Sequence, residues 1–140
     1  MNSENTKKLF NDFSSLYEGR KSPITENLMP FGFECGNGWF NLIYELSDKI
    51  SKLDPNCKAV QVKEKFGGLR FYTGATTKEV YDLISEYESK SYKTCEDCGD
   101  TKTAKRRSTG WIYTLCNKCW KELKNYRKKM MEDASNDSKK

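Results

Sequence analysis

Apolar residues in the first part of the chain recur at a helical period. Leu9, Phe10, Phe13, Leu16 and Tyr17 predict an amphipathic helix over residues 3–18, with Gly19 as its stop. Residues 19–37 form a long connection punctuated by Pro23, Pro30, Gly32 and Gly36, and the aromatics Phe31 and Phe33 argue for packing there. Trp39, Leu42, Ile43, Leu46, Ile50 and Leu53 form the stripe of a second helix, which starts near Asn37 or Gly38 and is closed by Pro55. The period then changes to two. Val60, Val62, Glu64 and Phe66 fall on one side of a strand, and Gln61, Lys63 and Lys65 on the other. Gly67-Gly68 supports a tight turn, after which Leu69, Phe71 and Thr73 share one side and Arg70 and Tyr72 the other. Glu64 on the apolar side calls for a bulge or a buried cation partner. Thr76-x-x-Glu79 reads as a capping box opening a third helix with Val80, Leu83, Ile84 and Tyr87 on its apolar face. Trp111–Leu115 reads as a strand, and a final helix runs from Cys116 to about Met131. Trp39 and Trp111 read as core anchors.

These elements give an α+β fold: helices packed on a small antiparallel, hairpin-based sheet over residues 1–90, with a second module over 91–132 packed on it. The polar residues 133–140 are expected to be a disordered tail.

Four cysteines define the second module. Cys95-Glu-Asp-Cys98-Gly99 and Cys116-Asn-Lys-Cys119 are two C-x-x-C pairs at the separation of a four-thiolate zinc site. The intervening segment is long enough for a hairpin, and the order resembles a treble clef or a related zinc ribbon. An all-sulfur site has no open coordination position, so the expected Zn²⁺ is structural. Such a site supplements a lean core of 36% hydrophobic residues, because metal binding contributes roughly 10–16 kcal/mol that is coupled to folding. Cys35 and Cys57 are left over and read as buried thiols, able to pair only under oxidising conditions.

Charge separates the same two regions. Residues 1–90 hold 12 Lys/Arg against 13 Asp/Glu, whereas residues 91–140 hold 13 against 7. The basic excess permits an anionic partner without requiring one. Two basic clusters stand out. On the hairpin, Gln61, Lys63, Lys65, Arg70 and Tyr72 share one face. Lysine point charges, a planar guanidinium fork and a phenol together suit a phosphate-bearing ligand, although a solvated sheet face has the same pattern. In the second module, Lys105, Arg106 and Arg107 between the cysteine pairs, with Lys121, Lys124 and Lys128 on the final helix, are candidates for nucleic-acid contact. The chain has no histidine and no nucleophile or phosphate-loop motif, so a non-enzymatic role is expected. No apolar run reaches the length of a membrane span and the N-terminal stretch has no secretory pattern, so a reducing, cytoplasmic setting without membrane contact is expected.

Cys35-Gly36-Asn37-Gly38-Trp39, the block Gln61 to Tyr72, Ser89, Cys95-x-x-Cys98-Gly99, Trp111 and Thr114-Leu115-Cys116-x-x-Cys119 together resemble a family of small phage and prophage proteins, over residues 29–120. The hairpin block is the most specific part. The resemblance implies a viral accessory protein in a bacterial cytoplasm, of a kind that binds host factors, nucleic acids or defence signals, and implies no catalytic residues. The leading expectation is counter-defence by binding a nucleotide-derived signal on the hairpin face. The alternatives are nucleic-acid binding by the zinc module and inhibition of a host defence enzyme through an aromatic surface such as Phe31 and Phe33.

Overall fold

The computed structural model describes residues 1–138. Helix α1 spans Ser3–Asp12, capped by the Asn2 side chain, which accepts from the Asn5 N–H. It is shorter than the period suggested. Phe13 leaves the helical region at φ −127°, ψ 49°, and Ser14 and Ser15, poor helix formers, follow it. Phe13, Leu16 and Tyr17 are nevertheless buried, because the turns after α1 fold back over the core.

The connection to α2 (Phe40–Leu53) contains a two-residue strand, β1 (Phe33–Glu34), which the pattern of residues did not indicate. Strands β2 (Ala59–Lys65) and β3 (Gly68–Thr73) form the expected hairpin. β1 pairs with β2 in parallel, so the sheet is mixed, in the order β1-β2-β3. Helix α3 (Lys78–Ser91) packs on α2 and on β3. Its N-cap is Thr77, which accepts from the Val80 N–H; Thr76 instead donates its hydroxyl to Asp54. The N-cap is thus displaced by one residue, because Thr76 is taken by a tertiary contact, and with Val80 at the third helical position the reciprocal bond of a capping box is not made.

Trp39, Tyr17, Leu9, Ile43, Leu46, Ile50, Val62, Leu69 and Val80 are the fully buried centre of this body. Each such side chain contributes ~1.5–3 kcal/mol by leaving water. Ser47 donates to the Ile43 carbonyl at 2.6 Å, so its oxygen is left to accept the Tyr17 hydroxyl, also at 2.6 Å. Burial raises the Tyr17 pKa, and the phenol stays neutral in the core.

The remaining residues form the second module. Strands β4 (Lys105–Ser108) and β5 (Ile112–Leu115) make an antiparallel hairpin, followed by helix α4 (Asn117–Ser138). Trp111 lies at the hairpin turn and is 65% exposed, not a core anchor, while Trp39 is fully buried. Helix α4 continues past Met131 through residues expected to be a disordered tail; Lys139 and Lys140 lie outside the described residues. Beyond Leu123 Arg127 still donates to the Thr109 hydroxyl of the hairpin, while Tyr126, Met130 and Met131 are exposed. Among the described residues no helix is long and apolar enough to cross a membrane.

Candidate metal centre and hairpin face

Cys95 and Cys98 sit in a turn closed by the Gly99 N–H donating to the Cys95 carbonyl, with Gly99 at φ +83°. Cys116 lies between β5 and α4, and Cys119 lies in the first turn of α4. The four sulfurs lie within 4.8 Å of one another and can hold a metal ion. A tetrahedral site with metal–sulfur bonds of about 2.3 Å has sulfur–sulfur edges of about 3.8 Å. The Cys98–Cys116 separation of 3.6 Å fits that edge. Burial opposes ionisation of Cys116, but the Cys119 N–H and neighbouring thiols outweigh it and hold the group below the ordinary thiol value. Burial and the same neighbours push Cys119 up. Four thiolates so close together need a cation. Cys35 and Cys57 are buried free thiols outside the cluster, and burial pushes Cys35 up to about 12.

The cysteine turn is pressed against the body through two glycines. A Cβ on Gly38 would lie 2.2 Å from the Cys95 carbonyl oxygen, and one on Gly36 would lie 2.4 Å from that of Glu96. The Gly38 N–H donates to the Glu96 carbonyl, the Gly36 N–H to the Glu96 carboxylate, and the Trp39 indole N–H to the Thr94 carbonyl. Burial pushes the Glu96 carboxyl up to about 7, against the pull of the Gly36 N–H.

The β2–β3 turn meets the other side of the module. Its central residues are Phe66 and Gly67, not Gly67 and Gly68: Lys65 pairs with Gly68, and φ is +54° at Phe66 and +80° at Gly67. Positive φ at both positions gives the twist a two-residue hairpin loop needs. For Phe66 this costs on the order of 1 kcal/mol. Three contacts hold the turn. Glu64 accepts from the Gly67 N–H, Thr114 donates its hydroxyl to the Gly67 carbonyl, and Arg106 donates to the Phe66 carbonyl. Glu64 therefore needs neither a bulge nor a buried cation. Gly68 makes room for the Tyr92 ring, whose atoms lie 2.5 Å from where a Cβ would stand.

The register pairs Gln61 with Tyr72 and Lys63 with Arg70, which places Gln61, Lys63, Lys65, Arg70 and Tyr72 on one face. Arg70 is not free on that face. Its guanidinium donates to Glu88 at 2.7 Å and to the Tyr92 hydroxyl at 3.1 Å, and its side chain is 21% exposed. Arg70 thus serves a carboxylate of α3. Lys65 and Tyr72 are exposed, and Gln61 and Lys63 are half-buried, with Gln61 reaching Glu34.

The second basic cluster is divided as well. Lys105 is exposed, and Arg106 stacks over Tyr92 at 4.7 Å while holding the Phe66 carbonyl. Arg107 is used inside the module, donating to the Leu115 carbonyl and to Asn117. Lys121, Lys124 and Lys128 are exposed along one side of α4. Phe31 is 57% exposed, but Phe33 is in the core, so the two do not form one surface.

The residues that shape the site and were given no role from the sequence are Thr94, Glu96, Glu88, Tyr92 and Thr114, the last appearing only within a motif of the resemblance. Each acts through a partner distant in the chain, such as Thr114 on Gly67. Comparison of the chain with protein-family models, with curated proteins and with solved structures finds no match in any of the three.

Proposed function

We propose that this is a non-enzymatic binding protein in which Cys95, Cys98, Cys116 and Cys119 hold a structural Zn²⁺ in a treble-clef-like module. That module supports a hairpin face for a phosphate-bearing, nucleotide-derived ligand. The observation that carries this reading is the β2–β3 register, which gathers Lys63, Lys65, Gln61 and Tyr72 on the side turned away from the buried Val62 and Phe71. Two ammonium groups supply the charge and the phenol supplies a ring or a hydroxyl donor. Arg70 and Glu88 frame the face and hold it to α3. Following the resemblance to small phage and prophage proteins, the role is that of a counter-defence accessory protein acting on a nucleotide signal of its host.

The exposed row Lys121, Lys124 and Lys128 on α4 favours a second reading, in which the module binds nucleic acid through its helix.

Mass spectrometry of small molecules released by denaturing the purified protein, followed by calorimetry with the compound found, tests the first reading. A phosphorylated nucleoside compound whose binding is lost in Lys63→Ala/Lys65→Ala supports it. Unchanged binding in that variant, with loss in Lys121→Ala/Lys124→Ala/Lys128→Ala, would favour the second.

A further inference from the structure

The turn-to-module contact creates a cleft of about 410 Å³ at the end of the hairpin face, lined by Glu64, Lys65, Phe66, Gly110, Trp111 and Ile112. Two of its walls are aromatic rings that the fold leaves in solvent: Phe66 is 58% exposed and Trp111 65%. Phe66 is also the non-glycine residue held at positive φ, a conformation that a bulky residue keeps only where its surroundings enforce it. Here Glu64, Thr114 and Arg106 enforce it, and the result is a ring presented at the mouth of a cleft instead of packed into the core.

The cations follow the rings. Lys65 Nζ lies 5.6 Å from the Phe66 ring centroid, and Lys63 Nζ lies 5.9 Å from that of Tyr72. The two lysines are two residues apart on β2, about 6.7 Å along the strand. Tyr72 and the Phe66–Gly67 turn are separated by most of β3, on the order of 13 Å. Arg106 does not line the cleft: its guanidinium holds the Phe66 carbonyl and stacks over the Tyr92 ring, so it supports the turn from behind the ligand-facing lysines. The Glu64 carboxylate also lines the cleft, but it faces the turn and accepts the Gly67 N–H.

Resting on the reading of the hairpin face above, the geometry points to a single-stranded nucleic acid as the ligand, with a base held in the cleft between Phe66 and Trp111. A second base lies on Tyr72, and the phosphates between them meet Lys65 and Lys63. Exposed rings alternating with cations match a strand that alternates bases with phosphates. A mononucleotide would engage one end of this row and leave the other unused. A duplex keeps its base faces stacked and cannot offer one to the cleft.

The test is a titration of the metal-loaded full chain with a roughly 12-nucleotide oligothymidylate and, separately, an oligouridylate of the same length. Binding is read by fluorescence anisotropy of a labelled strand and by quenching of tryptophan emission. Trp39 is buried and Trp120 half-buried, so a stacked base should quench mainly Trp111. Trp111→Ala and Phe66→Asn should each weaken binding about 5- to 150-fold. Asparagine tolerates positive φ, so the second variant removes the ring without adding backbone strain. Tyr126→Ala, an exposed aromatic elsewhere on α4, should change nothing. Equal loss for both strands supports a site that reads base faces and phosphates; loss with one strand alone supports the same cleft with selectivity for the sugar or for the base C5 methyl group. If Lys63→Ala/Lys65→Ala weakens binding while Trp111→Ala and Phe66→Asn do not, the cleft assignment is wrong and the hairpin-face reading survives. If thymidine monophosphate binds as tightly as the oligomer, the single-strand assignment is overturned. If no strand binds and only an apolar peptide fills the cleft, the single-strand assignment fails, and the hairpin-face reading is decided by the released-ligand test alone.

Discussion

The body and the cysteine module solve the same stability problem with different means. In the body, Trp39, Tyr17, Leu9, Ile43, Leu46 and Ile50 form a continuous apolar centre contributed by α1, α2 and the turns between them. In the module, Leu115 is buried with Cys95, Cys116 and Cys119, and Ala104, Tyr113, Trp120 and Leu123 cover it only in part. The body can bury enough surface to offset its chain entropy. The module buries a much smaller cluster, so its stability is expected to depend on a metal held by the four cysteines and on the seam with the body. The proposed ligand site falls where the two meet, since Phe66 and Arg106 reach each other only if the module is in place.

The largest expected effect comes from breaking the cysteine site. Cys98→Ser should lose the metal and with it the module, while α2 and α3 remain folded. Elemental analysis and circular dichroism report this as loss of zinc with only partial loss of helix. Acid should do the same reversibly, because protons compete with the metal for the thiolates as pH falls. Cys35→Ala, in contrast, should retain full zinc.

A smaller effect is expected when the seam alone is disturbed. Gly38→Ala forces a methyl group onto the Cys95 carbonyl and should destabilise the protein by about 1–3 kcal/mol in denaturant titrations, with the metal still bound. No loss would mean that the cysteine turn shifts freely against the body and that the two regions are less coupled than described.

Arg70→Ala should be milder, at about 1 kcal/mol, since the pair with Glu88 is partly open to water. Glu88→Gln, which keeps an acceptor for the guanidinium, should lose less. If Arg70→Ala leaves stability unchanged yet abolishes ligand binding, Arg70 belongs to the ligand face and not to the frame. Lys63→Ala/Lys65→Ala should fall within about 0.5 kcal/mol of the parent in stability and show its effect only in binding.

The periodicities located both long helices of the body and the hairpin, because those signals arise from which side chains face the core. The cysteine spacing located the metal cluster for a similarly local reason. Features that depend on distant partners were not legible. β1 is two residues long and exists through its pairing with β2. The turn was displaced to Phe66–Gly67, since Glu64, Thr114 and Arg106 stabilise a phenylalanine where glycine is the expected residue. Trp111 looked like a core residue by composition and lies at a turn in solvent. Gly36, Gly38 and Gly68 stood inside the most specific blocks, but their reason is spatial: the first two admit the cysteine turn and the third admits Tyr92.

Hydrogen exchange before and after metal chelation tests the dependence of the seam on the metal most directly. The Gly38 amide bonded to the Glu96 carbonyl lies on that seam and the Glu96 amide bonded to the Thr114 carbonyl lies within the module beside it, whereas the amides of α2 around Leu46 and Ile50 lie in the body core. The account predicts that chelation deprotects the first set, together with the Gly67 amide at the hairpin turn, and leaves the α2 amides protected. Protection unchanged in all of them, or lost from all of them together, would contradict it.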